Sequence, residues 1–235
     1  MSHNKNDFIA LHKKWEKLEG TRIVRMILHL SNSRYIVDRN YQELSKMISV
    51  FEQNALSIMA EKNRQKFPGF MRELNRLLHN YLASIFSLIT HTRHFNQELN
   101  NSKLNKAYNI ELEKLQRNKC TYFMTDLRNY TQHKELLSIT AHIGAHRLNT
   151  EGAFEIKQNL LLTKKNLRTW NNWKKDSKIY ISQYKGDIDL KVVISEYNEL
   201  IIKFYNWLYK LVLELYSKEL KELAKIESEI KRLEP

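Results

Sequence analysis

Glycine and proline are so scarce in this chain that the intervals between them decide what it can fold into. There are five glycines and two prolines in 235 residues, at Gly20, Pro68, Gly69, Gly144, Gly152, Gly186 and Pro235. Glycine costs a helix backbone entropy, and proline removes a donor and clashes with the preceding turn, so intervals lacking both favour long helices. The spacing predicts a mainly α protein. A first short helix runs from Asp7 to Leu18, with Phe8, Leu11, Trp15 and Leu18 on one stripe and Gly20 as its stop. Residues 21–63 read as helices broken near Ser31-Asn32-Ser33, although Ile23 to Leu30 also fits a strand over residues 22–30.

Pro68 suits the first turn of the next helix. That helix extends to about Phe95, with Phe70, Leu74, Leu77, Leu78, Tyr81, Leu82, Ile85, Leu88 and Ile89 at helical intervals. After a polar break from Asn96 to Lys103, another helix spans Leu104 to Gln132. Two long helices with a short connection pack antiparallel, which would carry Asn80 and Tyr81 toward the second of them. Loose alternation in Ile139 to Ile143 and Ala153 to Lys157, with Gly144, Asn149 and Gly152 between, predicts a β-hairpin over residues 138–162. Helical spacing returns through Leu167, Trp170, Ser177, Ile181 and Tyr184 as far as Gly186. A last helix over Asp189 to Leu233 would be about 67 Å long at 1.5 Å per residue, so its end must leave the core or meet a partner. Its stripe of Leu208, Leu211, Leu215, Leu220, Leu223, Ile226, Ile230 and Leu233 suits helix contact. The segments are then N-terminal helices (1–64), core helices (65–137), a hairpin (138–162) and C-terminal helices (163–235). Together they predict one compact domain with a terminal helical extension.

Lysine and arginine number 39 against 26 acidic residues, a formal charge of +13. Such an excess attracts polyanions, nucleic acid first. A lysine-, asparagine- and isoleucine-rich composition produces the same charge without a partner, and composition does not choose between the two. The single cysteine, Cys120, has no partner for an internal disulfide. No apolar leader opens the chain and no uncharged run is long enough for a bilayer, so a cytoplasmic, non-membrane protein is expected. His91 and His94, and His142 and His146, are spaced like paired ligands but lack the further ligands of a zinc site, so neither metal nor cofactor is expected. P-loop, glycine-fingerprint and Gly-x-Ser-x-Gly patterns do not occur.

Arg128, Asn129 and His133 form the one constellation with chemical character. A guanidinium offers a permanent cation with a fork for phosphate oxygens, and imidazole passes protons near neutral pH. Positions i and i+5 lie about 140° apart on a straight helix, so the two side chains share a face only if the helix bends or ends between them. The shift to β-branched residues and glycine after His133 predicts such an ending. An arginine near a helix C-terminus also complements the helix dipole without any chemistry.

The run Leu127-Arg128-Asn129-Tyr130-Thr131-Gln132-His133 resembles the Arg-polar-x-x-x-His signature of the HEPN superfamily, helical proteins that include many metal-independent ribonucleases. Asn75 to Ser84 is similar to the helix beside that motif in one HEPN-like branch, and the resemblance covers residues 65–137. It implies a HEPN-like antiparallel helical bundle, here with the small β-hairpin insertion and the long C-terminal helix. It also implies an endoribonuclease of bacterial toxin or antiviral-defence type, working as a homodimer on RNA, with an antitoxin or defence-system protein as a further partner. His133 then moves the 2′-hydroxyl proton or protonates the leaving 5′-oxygen, Arg128 stabilises the phosphorane charge, and Asn129 orients phosphate or the histidine. The alternative is a non-catalytic HEPN-like module that binds RNA or a partner. Where one subgroup carries a tyrosine two residues after the histidine, this chain has Glu135, so regulation through that tyrosine is not expected. Lys164, Lys165, Arg168, Lys174 and Lys175 interleave with Trp170 and Trp173, a pattern that suits single-stranded RNA, although Leu167 and Trp170 also fit an inward stripe that leaves the lysines as a solvated face.

Overall fold

Long helices fill the breaker-free intervals, though their joints differ from the expected ones. The computed structural model describes residues 2–147 and 154–233. In chain order these form α1 (Ser2–Lys17), α2 (Glu19–Met59), a 3-10 turn (Glu61–Asn63), α3 (Phe67–Leu99), α4 (Ser102–Arg117), α5 (Lys119–His133), β1 (Ile139–Arg147), β2 (Phe154–Leu162), α6 (Lys164–Leu167), α7 (Lys175–Gln183), β3 (Ile188–Asp189), α8 (Leu190–Leu215) and α9 (Ser217–Leu233). The protein is thus mostly helical with a small antiparallel sheet of order β1-β2-β3. No helix among the described residues is long and apolar enough to cross a membrane. The chain divides into two compact units, residues 1–35, 88–111 and 203–235, and residues 36–87 and 112–202. α2, α3, α4 and α8 each supply residues to both.

In the first unit α1 packs along α9. Phe8, Leu11 and Trp15 are half-buried on α1, as their stripe predicts, and Leu223, Ile226 and Ile230 are buried on α9. Trp15 Nε1 donates to Glu227 Oε1 at 3.1 Å. Gly20 is not the stop of α1. It lies in the first turn of α2, where a Cβ would come within 2.5 Å of the Glu219 carbonyl oxygen and 2.9 Å of Leu223 Cβ, so glycine is what lets α9 approach. The expected single C-terminal helix is two helices parted at Tyr216, and α9 folds against α1 instead of leaving the core. Tyr216 is buried and its hydroxyl donates to the Leu99 carbonyl at 3.3 Å. Asn100 ends α3 in the left-handed region at φ 43°, and Asn101 Oδ1 then caps α4 by accepting from the amides of Lys103 (3.0 Å) and Leu104 (3.1 Å).

α2 is a single helix, neither broken at Ser31-Asn32-Ser33 nor a strand over residues 22–30. Ser33 Oγ donates to the His29 carbonyl at 3.3 Å, which seats a polar side chain on the helix without breaking it.

In the second unit the helix expected over Leu104 to Gln132 is divided at Asn118, whose Oδ1 accepts from the Cys120 amide at 2.8 Å and starts α5 afresh. The hairpin lies where alternation places it, with Ile139 opposite Leu162 and Arg147 opposite Phe154. Its expected turn residues Asn149 and Gly152, like Pro235, lie outside the described residues. β3 was not legible: two residues pair with Leu161 and Leu162. Asp189 Oδ2 accepts from Asn159 Nδ2 at 2.6 Å, while its Oδ1 caps α8 through the Lys191 amide at 2.9 Å. The helical stretch expected from Thr163 to Gly186 is α6 and α7 with residues 168–174 between them. Trp173 turns inward there, its Nε1 donating to the Leu167 carbonyl at 2.6 Å.

Candidate functional site

α5 carries the motif, and its apolar face fixes how the helix lies. Cys120, Phe123, Met124, Leu127 and Tyr130 are buried at intervals of three and four, which turns one side into the second unit's core. Burial pushes the Cys120 thiol up to about 12, leaving it an inert part of that core. Asp126 is 1 % exposed, and its Oδ2 accepts from Ser177 Oγ at 2.7 Å and from the Lys174 amide at 2.8 Å, clamping the start of α7 to α5.

Arg128 and Asn129 are half-buried and joined: Arg128 Nη1 donates to Asn129 Oδ1 at 3.1 Å. The guanidinium carbon stands 3.9 Å from the centroid of the Phe86 ring on α3. Arg128 Nε is buried with no hydrogen-bond partner. Burial lowers the guanidinium pKa from its ordinary value, but arginine stays charged throughout the range in which proteins fold. The result is an aromatic-backed cation with an unused donor.

His133 is the last residue of α5 and is exposed. The expected break between Arg128 and His133 is absent, because α5 runs unbroken through both and ends only at Lys134. The Lys134 and Glu135 amides donate to the Tyr130 carbonyl at 2.9 and 3.3 Å. On such a helix the two side chains leave the axis about 140° apart. Arg128 and Asn129 are therefore brought together, and His133 lies one turn from Asn129 on the same side of the helix but is not brought to Arg128 within one chain. Tyr130 lies three residues before His133, hence on His133's side of the helix. Its hydroxyl donates to Glu135 Oε1 at 2.7 Å. Burial first, then that hydrogen bond and carboxylate charge, raise the phenol pKa, so it remains a donor. Glu135 thus fastens the helix exit.

Beyond Tyr130 lies an aromatic cluster. Its ring stacks on Trp173 (centroids 5.8 Å, 16°) and meets Trp170 edge-on (5.5 Å, 89°). The basic segment divides accordingly. Lys165, Arg168, Lys174 and Lys175 are exposed, whereas Lys164 is buried, with Nζ donating to the Tyr184 carbonyl and its amide to Asp187 Oδ1 at 2.8 Å. Lys164 therefore serves the fold and is not an exposed RNA cation, which corrects the expectation from its sequence neighbours. Trp173 is likewise core, not a stacking surface.

Neither Phe86 nor Asp126 stands out as a site residue in the sequence. Phe86 had a signal: it falls between Ile85 and Leu88, off the inward stripe, and is 44 % exposed, so an aromatic residue sits on a polar face. Asn80, expected near the motif helix, is half-buried on α3, and its neighbour Tyr81 is fully buried against Tyr41, ring centroids 5.8 Å apart. The α3 residue against Arg128 is Phe86.

The histidine pairs lie elsewhere. In the first unit His91 and His94 line a cleft of about 430 Å³ with His29, Ser33 and Glu98, and His91 Nδ1 is 2.6 Å from Ser33 Oγ. His142 is on β1, and the side chain of His146 lies outside the described residues. Among the described residues no group of three or more histidine, cysteine or acidic side chains converges as metal ligands. The chain matches no protein-family model, no curated protein and no solved structure at a significant level.

Proposed function

We propose that the chain is a HEPN-like, metal-independent endoribonuclease of bacterial toxin or antiviral-defence type, cutting RNA through attack of the ribose 2′-hydroxyl on the adjacent phosphorus. The observation that carries this reading is Arg128: a half-buried cation backed by Phe86 and held by Asn129, on the same helix as an exposed histidine. His133 takes the 2′-hydroxyl proton as the O2′–P bond forms. Arg128 meets the charge that builds on the phosphorane oxygens, and the P–O5′ bond breaks as the imidazolium that His133 has become returns that proton to O5′. Asn129 orients the guanidinium. Since the RNA supplies its own nucleophile, the step needs no metal-bound water.

The angle along α5 sets a condition on this mechanism. One chain presents Arg128 and His133 on different sides, so a complete site takes Arg128 from one copy and His133 from another, in a homodimer. A second reading, a binding module that holds RNA without cutting it, draws on the same separation and on the exposed cations after β2.

The test is incubation of purified protein with total RNA in excess EDTA, followed by sequencing of the ends. Cleavage leaving 2′,3′-cyclic phosphate and 5′-hydroxyl ends is expected, and none at a site with 2′-deoxyribose. His133→Ala should lower the rate on the order of a hundred- to ten-thousand-fold, and Arg128→Ala about a hundredfold or more, with folding unchanged. Substantial cutting by either variant, or full dependence on a divalent metal, overturns the assignment. Salt-dependent binding without cleavage selects the second reading.

A further inference from the structure

A cleft of about 330 Å³ opens in the second unit beside the aromatic cluster, lined among others by Arg168, Trp170, Asn171, Lys178 and Ser182. Its size is at the lower end of small-ligand sites and suits one nucleotide rather than a duplex. Its lining holds lysine and arginine but no aspartate or glutamate. Lys164 is spent on the Tyr184 carbonyl, whereas Arg168 and Lys178 are exposed. Trp170 is half-buried: it meets Trp173 edge-on at 4.8 Å and Tyr130 edge-on at 5.5 Å, so the cluster holds the indole rigidly beside the cleft. A rigidly held indole, an amide and two exposed cations are what a flipped-out base with its flanking phosphates requires.

We propose that this cleft is a subsite for single-stranded RNA, in which Trp170 stacks one base, Asn171 bonds its edge, and Arg168 and Lys178 hold the flanking phosphates. It rests on the reading of the chain as an RNA-acting protein and adds the form of RNA taken and where it lies. Trp170 packs on Tyr130, and His133 follows Tyr130 by one turn on the same side of α5. A nucleotide in the cleft therefore sits beside the aromatic cluster that also holds the last turns of α5, the helix that carries His133.

The experiment measures fluorescence anisotropy of a labelled ten-nucleotide single-stranded RNA, the same sequence as a duplex, and the same sequence as single-stranded DNA. The full-length His133→Ala protein serves as background so that the probe stays intact. The single strand should bind at least tenfold more tightly than the duplex. Trp170→Ala should weaken it about tenfold or more. Because Trp170 also packs in the cluster, the double variant Arg168→Ala/Lys178→Ala, at two exposed positions, provides the second reading. It should lower affinity and make the slope of log K against log salt shallower by about 1.4, at roughly 0.7 per phosphate contact on a single strand. Unchanged affinity and slope in the double variant, or duplex bound as well as single strand, overturns the subsite. If the wild-type protein still cuts RNA in that case, the function stands and only the subsite falls. Binding through the cleft without any cleavage by the wild type leaves the subsite standing and removes the nuclease.

Discussion

Asp126 shows how much one side chain inside α5 holds in place. It is almost fully buried, and a single oxygen accepts from both Ser177 Oγ and the Lys174 amide, where α7 begins. Removing it strands a buried hydroxyl and a part-buried amide, so Asp126→Ala should cost about 2–4 kcal/mol in urea unfolding, and Ser177→Ala, which loses one bond, about 1 kcal/mol. Near-equal stability of Asp126→Ala and wild type would show that α7 is held by its apolar contacts alone. Arg128 belongs to the same scale. Its stacking on Phe86 and its bond to Asn129 use the planar face and the fork, which lysine lacks, so charge alone does not describe the position.

Among the elements, α9 has a packing constraint at one residue. Its backbone passes Gly20 so closely that any Cβ there meets the Glu219 carbonyl oxygen. Gly20→Ala should therefore lower stability by about 1–3 kcal/mol through overpacking, even though alanine is the better helix former. Gly69 is the control. It lies in the first turn of α3, with nothing within 4 Å of its Cβ position, so Gly69→Ala should be neutral or raise stability by up to about 1 kcal/mol. Thermal melts of both variants check the pair, and equal effects at the two glycines would refute the close approach as the cause.

For the molecule as a whole, the prediction concerns how many copies make a site. The proposed mechanism requires a dimer at micromolar concentration, seen by sedimentation. It also requires that two inactive variants rescue each other. With Arg128→Ala and His133→Ala mixed at equal amounts, half the dimers are mixed, and each mixed dimer holds one site with both wild-type residues. About a quarter of wild-type cleavage should return, provided the subunits exchange freely. No rescue, together with a cutting monomer, would place both residues in one chain. The formal charge of +13 adds that affinity for RNA should fall steeply with salt.

Breaker scarcity and periodicity were enough to read the helical class, α3, the hairpin and the inward stripe of α1, because each rests on many residues repeating one preference. Arg128 and Asn129, which stood out by side-chain chemistry and by the resemblance, are neighbours in sequence that remain neighbours in space. Joints were less legible. Asn118 and Tyr216 each divide a helix with a single residue, and neither leaves a mark in composition. Lys164, Trp173 and Phe86 show why the rest waited for the tertiary structure. Whether a lysine is buried depends on a carbonyl twenty residues away, whether a tryptophan turns inward depends on the carbonyl that takes its N–H, and whether a phenylalanine backs an arginine depends on which helix lies opposite. Local preference is written in the sequence, whereas the choice of partner is made only when distant segments compete for the same buried space.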